Sequence, residues 1–330
     1  MKVAFDSTNK AHVVWIENGG LAYANSTNLN NGFNAPKIFI ENLVKTGVVN
    51  AQIITFGNFV HIVGAATDQN NNSNVFHVQS SNGGTSWGTP KLVTNNTLQT
   101  DRPTVGVDND GHLHLVYRQQ RVSSVIMDPA HFHLKYARGA FNSTTVDWGE
   151  DEGAHIDITG NILTGNSSLF EPSILVENGR LEVSATQKYD GNDSQAEQSI
   201  YYLYCNGSCT NAGNWSQQKV SGNVLYINNN PFNLVSDIVR LGSCTNVIFD
   251  GKVGTTLNPA EQIFSSSSCS GWGNARSSLT DPNVARSIQP AAATQNNWWM
   301  YIVYEEFADD VPKVYFMRNI PGVYLPMIRK

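Results

Sequence analysis

The stretch Ser80-Ser81-Asn82-Gly83-Gly84-Thr85-Ser86-Trp87, continued by Gly88-Thr89-Pro90-Lys91-Leu92-Val93, decides the reading of this chain. Val75-Phe76-His77-Val78 before it alternates like a strand, and Lys91-Leu92-Val93 after it reads as another. Between them, Asn82 and the glycines supply the positive-φ positions that a tight β-connection demands. Trp87 at the exit is placed to fold back over the turn and bury its ring.

Working outward, the same unit recurs six times: a strand, a short turn, a second strand, a third strand, an aromatic-Gly corner and a fourth strand. The second strands align without gaps as Ala11-His12-Val13-Val14-Trp15, Val60-His61-Ile62-Val63-Gly64 and Leu113-His114-Leu115-Val116-Tyr117. More divergent copies follow at Leu181-Glu182-Val183-Ser184-Ala185, Thr245-Asn246-Val247-Ile248-Phe249 and Met300-Tyr301-Ile302-Val303-Tyr304. Turn residues precede each copy: Asn9, Gly57-Asn58, Asp110-Gly111, Asn178-Gly179, Gly242 and Asn296-Asn297. The corner recurs as Gly32-Phe33, Trp87-Gly88, Trp148-Gly149, Trp215-Ser216 and Trp272-Gly273, with Ile320-Pro321-Gly322 in the sixth unit. A four-stranded sheet of this size cannot bury both faces alone, but sheets stacked radially can. The sequence therefore predicts an all-β fold: one domain over 1–330, a six-bladed β-propeller with four antiparallel strands per blade. The blades fall at 1–45, 46–98, 99–165, 166–226, 227–281 and 282–330, with seven blades as the alternative. The terminal strand, 322–328, completes the last blade or is lent to a neighbouring copy in self-assembly.

The spelling Ser-x-Asn-x-Gly-x-Ser-Trp resembles the Asp-box of sialidase-type β-propellers, with Asn82 in the place of the Asp. In that family the box is a folding device remote from catalysis. Arg102-Pro103-Thr104-Val105, followed by Asp110-Gly111, is similar to the family's Arg-Ile-Pro strand and its turn. Phe170-Glu171-Pro172 is similar to its Asn-Glu-Pro strand, whose Glu polarises a nucleophilic Tyr. The resemblance implies that Arg102 grips a carboxylate and that Glu171 is a base. The pattern departs where no Arg closes the strand after Glu171, the position being held by Gln187-Lys188-Tyr189.

Propellers bind ligands where first strands begin and second strands end, on loops held by a rigid ring. Those positions give a candidate catalytic set of Glu171, Arg102, Arg286 and Asp237, and candidate ligand contacts at Arg118, Tyr189, Tyr304 and Gln289. Arg102, Glu171 and Arg286 are expected to line one mouth. Two arginines beside carboxylates suit an acidic sugar or polar glycan, because Arg grips carboxylates bidentately. His112, His114, His131 and His133 form two His-x-His pairs, but His114 repeats His12 and His61 at one blade position and so reads as architecture, not metal ligation. Asp108-Asn109-Asp110-Gly111 echoes a calcium loop without its distal Glu and reads as a hairpin turn. Trp298-Trp299 opens a second strand and reads as packing. No metal and no cofactor is expected.

Composition narrows the function. Only 15% of residues are charged and the net charge is −6, with no basic stripe, so nucleic acid and anionic membranes are poor partners. The longest apolar run, Trp298 to Tyr304, is too short to span a bilayer. No leader is visible before the first strand at Lys2-Val3-Ala4-Phe5. Cys205, Cys209, Cys244 and Cys269 lack the paired spacing of a zinc site and read as two disulfides, hence an extracellular or cell-surface protein. Eight Asn-x-Ser/Thr sequons, at Asn25, Asn71, Asn95, Asn142, Asn166, Asn192, Asn206 and Asn214, permit glycosylation. Well-kept folding motifs beside an incomplete catalytic set point to a non-catalytic propeller that binds glycan or a surface protein, or builds a surface assembly. The alternative is a sialidase-like exoglycosidase.

Overall fold

A computed structural model describes residues 1–39, 47–67, 72–121, 131–142, 145–149, 155–160, 167–189, 199–221, 235–251, 262–269, 271–272, 277–280, 287–295, 299–308, 311–320 and 323–326. Among these residues there is no α-helix; six antiparallel sheets carry the structure. The first sheet is β1 (Lys2–Phe5), β2 (Ala11–Glu17), β3 (Gly20–Ser26) and β4 (Lys37–Phe39), and the second is β5 (Val48–Phe56), β6 (Phe59–Thr67), β7 (Ser73–Ser80) and β8 (Lys91–Leu92). The third holds β9 (Thr100–Val107), β10 (Leu113–Gln120), β11 (Phe132–Asn142) and β12 (Thr145–Asp147), with β13 (Ile156–Asp157) also on β11. The fourth is β14 (Ser167–Glu177), β15 (Arg180–Tyr189), β16 (Ser199–Cys205) and β17 (Trp215–Lys219). The fifth is β18 (Ser236–Leu241), β19 (Cys244–Gly251), β20 (Gln262–Ser267) and β21 (Ser277–Ser278). The sixth is β22 (Ser287–Gln295), β23 (Trp299–Ala308), β24 (Val311–Ile320) and β25 (Val323–Pro326).

Each sheet is a meander in chain order, and in the first five sheets a short turn whose residues tolerate positive φ joins the first strand to the second. Asn9, Asn178, Gly57, Gly111 and Gly242 all adopt it. The chain divides into two compact units. The first is Met1–Thr159 with Val176–Arg180 and Gly207–Ala212; the second is Gly160–Leu175, Leu181–Asn206 and Gly213–Lys330. Within the first unit β5 packs on β1 and β2, and β9 packs on β5; within the second, β22 packs on β18 and β19. The first strands of successive sheets thus lie side by side.

The core is divided among the spaces between sheets. On β6, Ile62 faces a cluster with Val14, Leu21 and Phe76, whereas its neighbour Val63 faces another with Val105, Leu115 and Tyr117. Burial on both faces explains why second strands read as nearly continuous apolar runs instead of alternating ones. The second unit repeats the plan: Val247 and Phe249 pack with Ile200 and Tyr202, and Ile248 packs with Met300 and Ile302. Each such side chain contributes roughly 1.5–3 kcal/mol by leaving water.

The corner tryptophans do more than cover their own turns. Trp87 meets Tyr23 of the preceding sheet edge-on at 4.7 Å, Trp148 meets His77 at 5.5 Å, and Trp272 meets Tyr202 at 4.7 Å. One repeated contact therefore fastens the corner of each of these sheets to the third strand of the sheet before it. The turn at Ser80–Trp87 is held by Asn82, whose Oδ1 accepts from Ser86 N at 2.8 Å while its Nδ2 donates to Ser86 Oγ at 2.8 Å. Ser80 Oγ accepts from Gly84 N at 2.9 Å, and Lys10 Nζ of the first sheet reaches Gly83 O at 2.6 Å.

All four cysteines are oxidised: Cys244 is bonded to Cys269, Cys205 and Cys209 are also disulfide-bonded, and no thiol is free. The terminal strand pairs with β24 of its own sheet, Met317 opposite Pro326 and Ile320 opposite Val323. The described part of the terminal strand, Val323–Pro326, thus completes its own sheet, one of the two outcomes expected for 322–328.

Candidate functional site

Proline has no N–H to give a ladder, so a proline in a first strand forces a local departure from regular pairing. On β9, Thr104 stands opposite Val116 and Asp101 opposite Arg118, so Arg102-Pro103 together face Tyr117. On β22, Ile288 pairs with Glu305 and Ala291 with Val303, so Gln289-Pro290 together face Tyr304. Both are β-bulges, which re-aim side chains and cluster beside binding sites. Arg102 has φ of 52° and Glu171 φ of 45°, both left-handed and both immediately before a buried proline. A residue before proline ordinarily stays extended, and Arg or Glu in the left-handed region is strained by on the order of 1–3 kcal/mol. Both side chains are half-exposed. The structure thus singles out, by backbone strain, two residues that sequence position had nominated; Arg102 belongs to the first unit and Glu171 to the second.

Arg118, Asp237 and Tyr304 are engaged within the fold. Arg118 is only 7% exposed and grips Asp101 bidentately, with Nε and Nη2 each 2.6 Å from a carboxylate oxygen, while its guanidinium lies 4.0 Å over the Phe132 ring. Its expected ligand contact becomes a buried ion pair that ties β10 to the residue preceding the Arg102 bulge. Asp237 on β18 accepts from Ser173 Oγ of β14 at 2.5 Å, from Ala292 N of β22 at 2.8 Å and from Ile238 N at 2.9 Å. The carboxylate is therefore a tie between three first strands, a role other than the catalytic one expected from its position. Tyr304 packs in the apolar cluster of Ile302 and Met300 against Tyr315, and burial, reinforced by Glu306, pushes its phenol up to about 12. That is the reverse of an activated nucleophile. Arg286 and the side chains of Tyr189 and Gln289 lie outside the described residues, as do Asp68, Asp190, Asn233 and Trp298.

The histidine-rich strands resolve into repeated architecture. His12 Nε2 donates to Asp6 Oδ2 at 3.2 Å, so its Nδ1 accepts from the Tyr23 hydroxyl at 2.7 Å. The same chain recurs in the third sheet as Asp108, His114 and Tyr136, at 3.2 and 2.8 Å. An acid–His–Tyr line in two sheets at one strand position is a folding element: each Asp also accepts the amides that close the hairpin, Thr8 and Lys10 in one case, Asp110 and His112 in the other. Asp108, Asp110 and His112 bring ligand atoms within 4.8 Å of one another, but Thr8 and Lys10 fill the matching positions around Asp6. The cluster is thus the polar lining of a turn. In the second sheet His61 Nδ1 meets His77 Nε2 at 3.2 Å, and burial pushes His61 down to about 4 and His77 well below its ordinary value.

Sequence position alone did not reveal Glu182. It replaces histidine at this position in the fourth sheet, is fully buried, and accepts from Tyr202 Oη at 2.6 Å, Thr245 Oγ1 at 3.0 Å and Arg240 Nη2 at 2.5 Å. The only signal was a charge at the position that histidine holds in the first three second strands.

No protein-family model and no curated protein matches the sequence. Solved structures share the fold. The α-L-arabinanase of Penicillium chrysogenum, in complex with arabinobiose, matches with a TM-score of 0.63 at 10% identity, over 98% of this chain and 93% of that one. The GH93 α-L-arabinofuranosidase of Fusarium graminearum, with arabinobiose, matches with a TM-score of 0.60 at 11% identity, over 97% and 92%. A Dyadobacter fermentans protein of unknown function matches with a TM-score of 0.59 at 10% identity, over 95% and 92%. At these identities the likeness is one of fold: the chain shares the β-propeller architecture of arabinan-acting glycosidases, and the sialidase resemblance is not supported.

Proposed function

We propose that the six sheets are the six blades of one propeller and that the protein is a secreted glycoside hydrolase acting on a neutral, arabinose-containing glycan. The observation that carries the reading is Glu171: a half-exposed carboxylate held in a left-handed conformation before Pro172. Strain of this kind persists where the direction of a side chain matters. The whole-length likeness of fold to two arabinan-acting enzymes supports the same class of substrate. Glycoside hydrolysis needs two carboxyl groups, one to protonate the leaving oxygen and one to act as base or nucleophile. We assign Glu171 to one role and draw the other from the end of β23, where Glu305 is half-buried and pairs across to Ile288 beside the Gln289-Pro290 bulge.

A glycan-binding propeller without turnover is the second reading. It is favoured by one set of observations: Asp237 and Arg118 are engaged within the fold, and Tyr304 is buried with a raised pKa.

The test is hydrolysis of 4-nitrophenyl α-L-arabinofuranoside, linear arabinan and a fluorogenic sialoside by the wild type, Glu171→Gln and Glu305→Gln. Turnover of the arabinose substrates, reduced about 10²–10⁴-fold by Glu171→Gln, is the expected result. Turnover of the sialoside alone overturns the substrate class. Retention on arabinan without turnover establishes the binding reading instead.

A further inference from the structure

The sequons remain unexplained by the proposed activity, and the structure sorts them. Asn25 is only 9% exposed; its Nδ2 donates to Tyr23 Oη at 3.0 Å and its Oδ1 accepts from Asn34 Nδ2 at 3.2 Å. A glycan there would remove a donor from the Asp6–His12–Tyr23 line and would have no path to solvent. Asn214 is half-buried at the start of β17. Asn95 is exposed, but it precedes β9 by only a few residues, at the end of the sheet where Arg102 sits. At Asn206-Gly207-Ser208 all three residues are exposed, in the loop between the oxidised Cys205 and Cys209, with Gly207 at φ of 96° turning the chain outward.

We infer that Asn206 is an N-glycan acceptor and that Asn25 is not. The chemistry is transfer from a lipid-pyrophosphate-linked oligosaccharide. The Asn206 Nδ2 attacks the anomeric carbon, a C–N bond forms, and the C–O bond to pyrophosphate breaks. The lipid pyrophosphate leaves with the electron pair, and Nδ2 loses one proton. Three features on the page agree with this role. The disulfides place the chain in an oxidising route, where such donors act in eukaryotic cells. The acceptor residue and Ser208 two positions on are both exposed, with the Ser208 hydroxyl 3.0 Å from Thr210 Oγ1. The register of β15 and β16, Leu181 opposite Cys205 and Gln187 opposite Ser199, puts Asn206 at the hairpin end of its sheet, whereas Glu171 lies toward the other end of β14. A glycan on Asn206 therefore leaves the proposed catalytic end clear.

The full chain is secreted from a eukaryotic cell line and treated with peptide N-glycosidase in heavy-oxygen water, which marks every formerly glycosylated Asn as labelled Asp for peptide mass mapping. Label at Asn206 is expected in the wild type and absent in Asn206→Gln and in Ser208→Ala, the second of which keeps the Asn side chain. Asn25 is expected to stay unlabelled in secreted, folded protein. Secreted wild type with Asn206 unlabelled, or with Asn25 labelled, overturns the inference.

Discussion

At one aligned position of the second strand, the first three sheets carry His12, His61 and His114, and the fourth carries Glu182. All four are buried, and each finds a partner on the adjacent third strand: Tyr23, His77, Tyr136 and Tyr202. In the first unit the position is filled by rings whose burial favours the neutral form. In the fourth sheet, of the second unit, it is filled by a carboxylate paired with Arg240. The fold thus specifies a buried polar side chain with one cross-strand bond and leaves its charge to the surroundings. The consequence is a division of labour in stability: every histidine of the chain lies between positions 12 and 155, and every cysteine between 205 and 269.

The most damaging test of this contrast is Glu182→Ala, which leaves the Arg240 guanidinium without its carboxylate. The expected loss is about 3–5 kcal/mol, read from urea unfolding, because stranding one member of a buried pair costs more than the pair itself contributes. A loss under about 1 kcal/mol would mean that Glu182 is not the charged anchor described here.

Removing the Cys244–Cys269 bridge, which spans 25 residues, with the double Cys→Ser variant should cost about 3 kcal/mol by releasing the unfolded chain. Proteolysis should then cut first within the second unit. Cutting first between residues 1 and 159 would break the assignment of disulfide support to that unit.

Gly84→Ala strikes the first unit at the contact between sheets. A Cβ there would stand 1.8 Å from Tyr23 Oη at φ of +79°, whereas at Gly179, with φ of +74°, nothing lies within 4 Å. Roughly 2–4 kcal/mol is expected for Gly84→Ala and about 1 kcal/mol for Gly179→Ala, read from the two melting temperatures. Equal effects would show that Tyr23 yields freely.

Acid provides the finest probe. Because burial lowers His61 to about 4, below its unfolded value, its contribution is complete above the unfolded pKa of 6.5 and is lost as pH falls toward 4. His12, His77 and His114 shift in the same direction for the same leading reason, burial. Stability should fall by about 1.4 kcal/mol per pH unit for each proton taken up on unfolding. Hydrogen exchange should show opening of the first unit before the second between pH 6.5 and 4. Simultaneous opening would dissolve the contrast.

Much of this was legible in the chain. The periodicity of Val60-His61-Ile62-Val63 and the turn residues Asn9, Gly57 and Gly111 gave strands and hairpins where they occur, because both signals act over a few residues. The Arg102-Pro103 and Glu171-Pro172 spellings did not show the left-handed backbone that both residues adopt before their prolines. Asp237 illustrates the limit. Its partners Ser173 and Ala292 are 64 and 55 residues away, so no local pattern could show that this carboxylate ties strands together. Arg118 and Tyr304 were misjudged for the same reason, one drawn into an ion pair with Asp101 and the other into an apolar cluster.

By itself the sequence determined the units, their turns and the oxidised state of the cysteines, since these follow from spacing and from conformational preferences carried by each residue. Only the tertiary structure decided which polar side chains face a partner and which remain presented to solvent. Each sheet packs against sheets supplied by distant parts of the chain, and a buried polar group takes whatever partner that packing brings within hydrogen-bond reach.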